Sequence, residues 1–170
     1  MNEREQAALS DLLASKKYGQ ICPDAVRRIF AQELVRHRSL KDADKAARAH
    51  LHQISGAFLA GEQRQAGEFL RRHLAGDEGA LIGALRLHAS TKERLPISDQ
   101  LYARVFARTG TPRLVLDLAC GLNPRFLGAR GISVRGYDIH GALCGLVNEW
   151  ARACGWDVSA ETCDLIQPPP

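Results

Sequence analysis

"LVLDLACGLNP", Leu114–Pro124, is the stretch on which the fold turns. Arg113–Ala119 is apolar but for Arg113 and one acid, Asp117, and it is bounded by Pro112 and Gly121; that length and those breakers predict a strand feeding a glycine turn. Working outward, Pro124–Arg130 can make two helical turns, and Ile132–Tyr137 reads as a second strand ending at Asp138. Gly141–Ala153 is a helix closed near Gly155, and Trp156–Cys163 is a third strand ending at Asp164. The order βαβαβ predicts a parallel sheet. Its first crossover is tight, close to the minimum of roughly 10–12 residues. Pro168–Pro170 fit neither a helix nor a central strand.

Upstream of Thr111 the period is helical. Glu3–Ala14 is short and amphipathic. "CPDAVRRIFAQELVRH" carries Pro23 at a first helical position and Val26, Ile29, Phe30 and Leu34 on one face. "SLKDADKAARAHLHQISGAF" opens with Ser39 and Asp42 at capping-box spacing and continues with Ala47, Leu51, Ile54 and Phe58 as its stripe. Further helices are expected near Glu62–Ala75, Asp77–Leu87 and Ser98–Arg108. The expected division is a helical domain over 1–110 and the start of an α/β domain over 111–170.

The composition suits a soluble globular chain: 170 residues, 45% hydrophobic and 25% charged. No apolar run approaches the roughly 18 residues of a membrane span. The first residues lack the pattern of a secretory signal, so a cytoplasmic protein is expected. Five scattered cysteines without a CxxC pair point to buried thiols in a reducing compartment rather than to a metal site. The net charge of +4 is uneven: 18 Lys and Arg face 13 Asp and Glu before residue 111, and 5 face 6 after it. A basic front and a near-neutral back suggest polyanion contact first and small-molecule chemistry second.

In open α/β sheets ligands bind beyond the carboxyl ends of the strands. Here Asp117, Asp138 and Asp164 stand at or near those three ends. An acid after the second strand can accept from both ribose hydroxyls. An acid after the third can accept from an exocyclic amine such as that of adenine. Asp117 would face whatever hangs from the 5′ carbon; it repels phosphate and tolerates an ammonium or sulfonium. A dinucleotide loop brings backbone N–H groups against pyrophosphate, whereas Pro124 removes such a donor. The loop therefore suits S-adenosylmethionine better than a phosphorylated ligand. The same acids could instead cap helices or close turns.

Two further clusters stand out. "LHASTKERLP", Leu87–Pro96, packs His88, Ser90, Thr91, Lys92 and Arg94 just upstream of the sheet. Arg94 could fork onto the carboxylate of S-adenosylmethionine, or the cluster could be a capped, solvated helix start. "SKKYG", Ser15–Gly19, with Arg27 and Arg28 nearby, offers cations for phosphate; Tyr18 could stack on a base or merely pack.

With these residues assembled, the chain resembles the aminoglycoside-resistance 16S rRNA (guanine(1405)-N7)-methyltransferases of the Arm/Rmt type. The resemblance rests on "LLASKKYGQICPDAVRRI", "LHQISGAF" (with Gln53 where glycine is common), "LHASTKERL", "LDLACGLNP" and "GYDIH", and it covers essentially the whole chain. It implies an N-terminal all-α domain followed by the first half of a Rossmann-like class I methyltransferase sheet. It also implies S-adenosylmethionine as cofactor and 16S rRNA of the assembled 30S subunit as substrate. The residues implied at the methionine end are His88, Ala89, Ser90, Thr91, Lys92, Glu93 and Arg94. Asp117, Ala119 and Gly121 would lie beside the cofactor, Asp138 at the ribose, Asp164 and Leu165 at the adenine, and Phe58 near by. Lys16, Lys17, Arg27 and Arg28 are the implied rRNA contacts.

Family members carry further strands, so the sheet is expected to be truncated, its first strand an exposed edge open to pairing. Residues 1–170 alone are expected to bind cofactor weakly and to transfer no methyl. Two alternatives stay open on the residues themselves: a non-catalytic RNA-binding module with a vestigial sheet, and a nicotinamide oxidoreductase, against which the absence of GxGxxG speaks.

Overall fold

The computed structural model describes residues 1–56 and 63–167. Along them run α1 (Glu3–Ala14), α2 (Pro23–Arg36), α3 (Leu40–Gly56), α4 (Gln63–Leu74), α5 (Glu78–Arg86), α6 (Ala89–Arg94) and α7 (Ser98–Thr109). The remainder is β1 (Leu114–Leu118), α8 (Pro124–Gly128), β2 (Ser133–Asp138), α9 (Gly141–Cys154) and β3 (Val158–Thr162). The predicted α/β order is therefore present, with β1 and β3 shorter than expected and β2 shifted by one residue. β1 stops at Leu118 because Ala119 turns to a φ of 55°, which ends extended pairing. Ala89–Arg94 forms a helix of its own, followed by a 3-10 turn at Leu95–Ile97 around Pro96; neither was legible as a separate element.

Local chemistry sets the helix starts. Asn2 and Glu5 close a reciprocal capping box on α1. At the start of α3 the Asp42 N–H donates to Ser39 Oγ at 3.1 Å, and the Ser39 hydroxyl donates back to the Asp42 carboxylate at 2.7 Å. Pro23 sits in the first turn of α2, as its spacing predicts.

The packing does not follow the composition boundary at residue 110. α1, α2 and α3 enclose one core of Leu12, Val26, Ile29, Phe30, Ala47 and Leu51. Tyr18 belongs to it: the ring is 5% exposed and its hydroxyl donates to the Arg48 carbonyl at 3.2 Å, so it packs and does not offer a stacking face. α4 and α5 instead give Leu70, Ala84 and Leu85 to a second core with Leu122, Leu143, Val147 and Trp150 of the α/β part. Phe58 lies outside the described residues.

The sheet is parallel, in the order β1-β2-β3. Val134 and Gly136 face α8 and α9, while Leu114, Leu116 and Leu118 on the opposite face are more than half exposed. Among the described residues β1 pairs only with β2, so it is an edge, as expected. No described helix is long and apolar enough to cross a membrane.

Candidate functional site

The site is built where β1 and β2 end. After Ala119, the Cys120 N–H donates to the Tyr137 carbonyl at 3.0 Å, which keeps the turn against β2. Gly121 follows with a φ of 51°. Its N–H donates to Asp138 Oδ2 at 2.8 Å, and the His140 N–H donates to Asp138 Oδ1 at 2.9 Å. Each oxygen of this buried carboxylate thus holds one backbone donor and retains an acceptor site. A side chain at 121 would meet the His88 ring, since an added Cβ lies 2.7 Å from His88 Cε1. The "LHASTKER" segment and the glycine turn are therefore pressed together.

A cavity of about 320 Å³ opens beside this turn, lined by Gln53, His88, Ser90, Ala119, Asp138 and His140 among others. His88 Nδ1 lies 2.8 Å from Thr91 Oγ1 and 3.2 Å from Ser90 Oγ, so the two hydroxyls orient the ring and do not cap the helix. His140 is buried against the same cavity, and its Nδ1 has no hydrogen-bond partner among the described residues. A buried polar atom left unpaired on a cavity wall suits a site that a polar ligand completes.

Burial lowers the proton affinity of both His88 and His140; the carboxylate of Asp138 opposes this in each, and Arg94 and His140 add to the lowering at His88. The unfolded chain then binds more protons than the folded one just below about pH 6.5. Stability from these rings is complete above that pH and is lost as the pH falls toward their folded values. The urea midpoint is expected to be lower at pH 5.5 than at pH 7.5, with a smaller difference in His140→Gln; equal midpoints in the unsubstituted protein contradict this.

Asp117 is held from behind. Asn123 Nδ2 donates to its Oδ2 at 2.6 Å, and the Tyr102 hydroxyl on α7 donates to Asn123 Oδ1. Burial pushes the Asp117 carboxyl up, while the Asn123 bond and the charge of Arg94 pull it down. Asn123 in the loop and Tyr102 upstream are functional candidates that the sequence reading missed. Asn123 lies inside the decisive stretch, but nothing in the local pattern announces Tyr102. The Arg94 guanidinium folds back on its own helix, with Nε and Nη2 each 3.0 Å from Ser90 oxygens. It is close enough for its charge to act at Asp117 and His88. Ala89, Lys92 and Glu93 are exposed on the outer side of α6.

The third acid departs from expectation. Asp164 lies beyond the end of β3 at Thr162, and its side chain is 1% exposed. It lines a separate groove of about 690 Å³ with Arg27, Arg28, Tyr137, Glu161 and Cys163. Arg28, expected to contact rRNA phosphate, is instead buried against Asp164, with Nε to Oδ2 at 2.6 Å and Nη2 to Oδ1 at 3.2 Å. Asp138 and Asp164 therefore line different cavities, whose walls meet where the Cys163 N–H donates to the Asp138 carbonyl at 2.8 Å, and among the described residues the three carboxylates form no single free rim. The long sequence separation hides such a pair from any periodicity. Leu165 is exposed beside Asp164. Lys16 and Lys17 are exposed, with Lys17 over the Tyr18 ring at 5.6 Å, and Arg27 is exposed and paired with Asp24 at 2.9 Å.

Cys22, Cys120, Cys144 and Cys163 are buried, and Cys154 is half-buried. Burial pushes the Cys144 thiol up to about 11, which leaves it protonated and inert near neutrality. Among the described residues no group of three His, Cys, Asp or Glu could hold a metal ion.

The chain matches the family model described as ribosomal RNA methyltransferase (FmrO) over residues 14–163. A 16S rRNA (guanine(1405)-N(7))-methyltransferase of Serratia marcescens is 47% identical over 164 residues, covering 96% of this chain and 63% of the relative. A protein of the same name from Frankia casuarinae is 39% identical over 132 residues, covering 69% and 45% respectively. The crystal structure of the 16S rRNA methyltransferase RmtF in complex with S-adenosyl-L-homocysteine superposes with a TM-score of 0.90 at 52% identity, covering all of this chain and 66% of that one. The 16S rRNA methylase RmtB superposes with a TM-score of 0.87 at 45% identity. The chain spans less than two thirds of the length of the curated relatives it matches.

Proposed function

The chain belongs to the ribosomal RNA methyltransferase (FmrO) family, and from that premise we propose that it forms the cofactor-gripping part of an S-adenosylmethionine-dependent enzyme that methylates N7 of guanine 1405 in 16S rRNA. The observation that carries this reading is the buried Asp138 carboxylate, fixed by the Gly121 and His140 N–H groups at the wall of a nucleoside-sized cavity.

The residues present fit the cofactor. Asp138 keeps one acceptor site on each oxygen for the ribose hydroxyls, and His140 Nδ1, unpaired among the described residues, offers a further polar contact. Asp117, fixed by Asn123, places negative charge where a sulfonium is favoured and a phosphate is not. Arg94, whose charge acts at Asp117 and His88, has a guanidinium able to fork onto a carboxylate. Pro124 at the start of α8 leaves that helix end without one N–H donor for a phosphate. When bound, the cofactor supplies an electrophilic methyl, and guanine N7, with its in-plane lone pair and no proton, takes it without a general base. The chain's own work is then orientation, which can lower a barrier by about 7–11 kcal/mol. In A-form RNA the N7 edge lies in a deep, narrow groove, so the guanine is expected to be turned out of its stack.

On this reading Lys16, Lys17 and Arg27 are the candidate phosphate contacts of the helical front. The substrate is the 30S subunit of a cytoplasmic ribosome, and methylation confers aminoglycoside resistance. The test is expression, in a susceptible bacterium, of the whole reading frame that contains residues 1–170. Borohydride–aniline cleavage of 16S rRNA at guanine 1405, with raised aminoglycoside tolerance, is expected. Methylation at another nucleotide, or none in cells that accumulate the folded protein, contradicts the proposal.

A further inference from the structure

The Arg28–Asp164 pair joins α2 of the helical front to the chain just beyond β3, across 136 positions of sequence. Its side chains are 9% and 1% exposed. Taking two charges out of water is unfavourable unless the geometry is excellent, and well-packed apolar pairs often serve stability as well or better. Stability alone is thus a poor reason for a buried ion pair here. The geometry is a fork: two guanidinium nitrogens reach two carboxylate oxygens, and the Ile166 N–H adds a third bond, to Oδ1 at 3.1 Å. Oδ1 therefore holds two donors, and Oδ2 holds one with an acceptor site to spare.

The same stretch of chain is stitched to the β2 end as well. The Cys22 N–H donates to the Ile139 carbonyl at 2.7 Å, the Gly141 N–H donates to the Gln20 carbonyl at 2.7 Å, and Ile21 bridges His140. Residues 20–28 thus hold both the loop that carries His140 and the carboxylate after β3. A segment that served only to dock on RNA has no need of these three ties, the two backbone bonds that make the Ile21–His140 bridge and the Arg28–Asp164 pair.

We propose that Arg28 is a positioning residue for the nucleoside end of the cofactor: its fork locks the Asp164 carboxylate so that the remaining acceptor site of Oδ2 receives an exocyclic amine. The proposal rests on the reading of the cavity as an S-adenosylmethionine site. It turns α2 from a pure rRNA-docking element into a wall of the cofactor site. Arg27, one residue away and exposed, stays available to phosphate.

Calorimetric titration of S-adenosylhomocysteine and of its inosyl analogue, in which a carbonyl replaces the amine, tests this. The unsubstituted chain is expected to prefer the adenosyl compound by at least about tenfold, and Arg28→Lys, which keeps the charge and loses the fork, to lower adenosyl affinity by about tenfold and narrow the preference to about threefold or less. Binding of 30S subunits by Arg28→Lys is expected to keep its affinity and salt slope. An equal loss for both nucleosides marks a structural role only and overturns the proposal. So does weaker 30S binding with a shallower salt slope and unchanged nucleoside affinity, the signature of a phosphate contact. If Arg28→Lys does not fold, the Arg28 Nε–H resonance of the unsubstituted chain decides: it is expected to shift with the adenosyl but not the inosyl ligand, and identical responses overturn the proposal. If the unsubstituted chain binds neither compound, the cofactor reading itself falls and this inference with it.

Discussion

Asp138→Ala is expected to weaken S-adenosylhomocysteine binding by at least about 100-fold, because a ribose loses a charged acceptor worth roughly 1.5–3 kcal/mol and the turn around it loses its anchor. The Gly121 and His140 N–H groups, which now donate to this carboxylate at 2.8 and 2.9 Å, would be left buried and unpaired. Each such loss costs about 1–3 kcal/mol, so the folded state should be weakened as well as the site. Asp138→Asn separates the two effects. It keeps the volume and one acceptor but turns an NH₂ toward one of the two donors, so affinity should still fall steeply while the loss of stability is smaller than for Ala. Calorimetric titration with thermal melting of both variants checks this. Binding of Asp138→Asn within a few-fold of the unsubstituted protein contradicts the role given to this residue.

The second large effect is at Gly121. Its φ of 51° is a conformation that L side chains rarely adopt, and an added Cβ meets the buried His88 ring at 2.7 Å. Gly121→Ala is expected to cost about 2–4 kcal/mol, backbone strain and overpacking together. The His88 contact makes a sharper prediction. In the double variant His88→Ala with Gly121→Ala the ring is gone, so the combined loss should be smaller than the sum of the single losses by about 1 kcal/mol or more. Additive losses in urea unfolding would mean that the two motifs are not pressed together as described.

Those motifs show how far the sequence could be read. The decisive stretch gave β1, the turn and α8 their places because apolar length, Gly121 and Pro124 are local signals. Asp138 was legible for the same reason, as an acid closing a strand. "LHASTKER" was legible as a cluster but not as a shape. A cap at Ser90 or Thr91 was one of two open readings, yet α6 begins after His88 without a side-chain cap, and both hydroxyls turn to the imidazole. Asp164 was read as a free acid at a strand end. It is bound by Arg28, which was itself assigned to RNA, because no period or spacing reports a contact between α2 and the chain after β3. The change of charge near residue 110 is also not a boundary between cores. Charge changes sign there, but α4 and α5 bury Leu70, Ala84 and Leu85 against Leu122 and Trp150, and burial rather than charge decides which segments share a core.

Amide hydrogen exchange with and without saturating S-adenosylhomocysteine tests the assignment of the cavity most directly. Added protection is expected at residues 88–91, 119–123 and 138–141, which carry His88, Gly121, Asp138 and His140. Protection confined to other segments, or none despite demonstrated binding, would show that the nucleoside is held elsewhere.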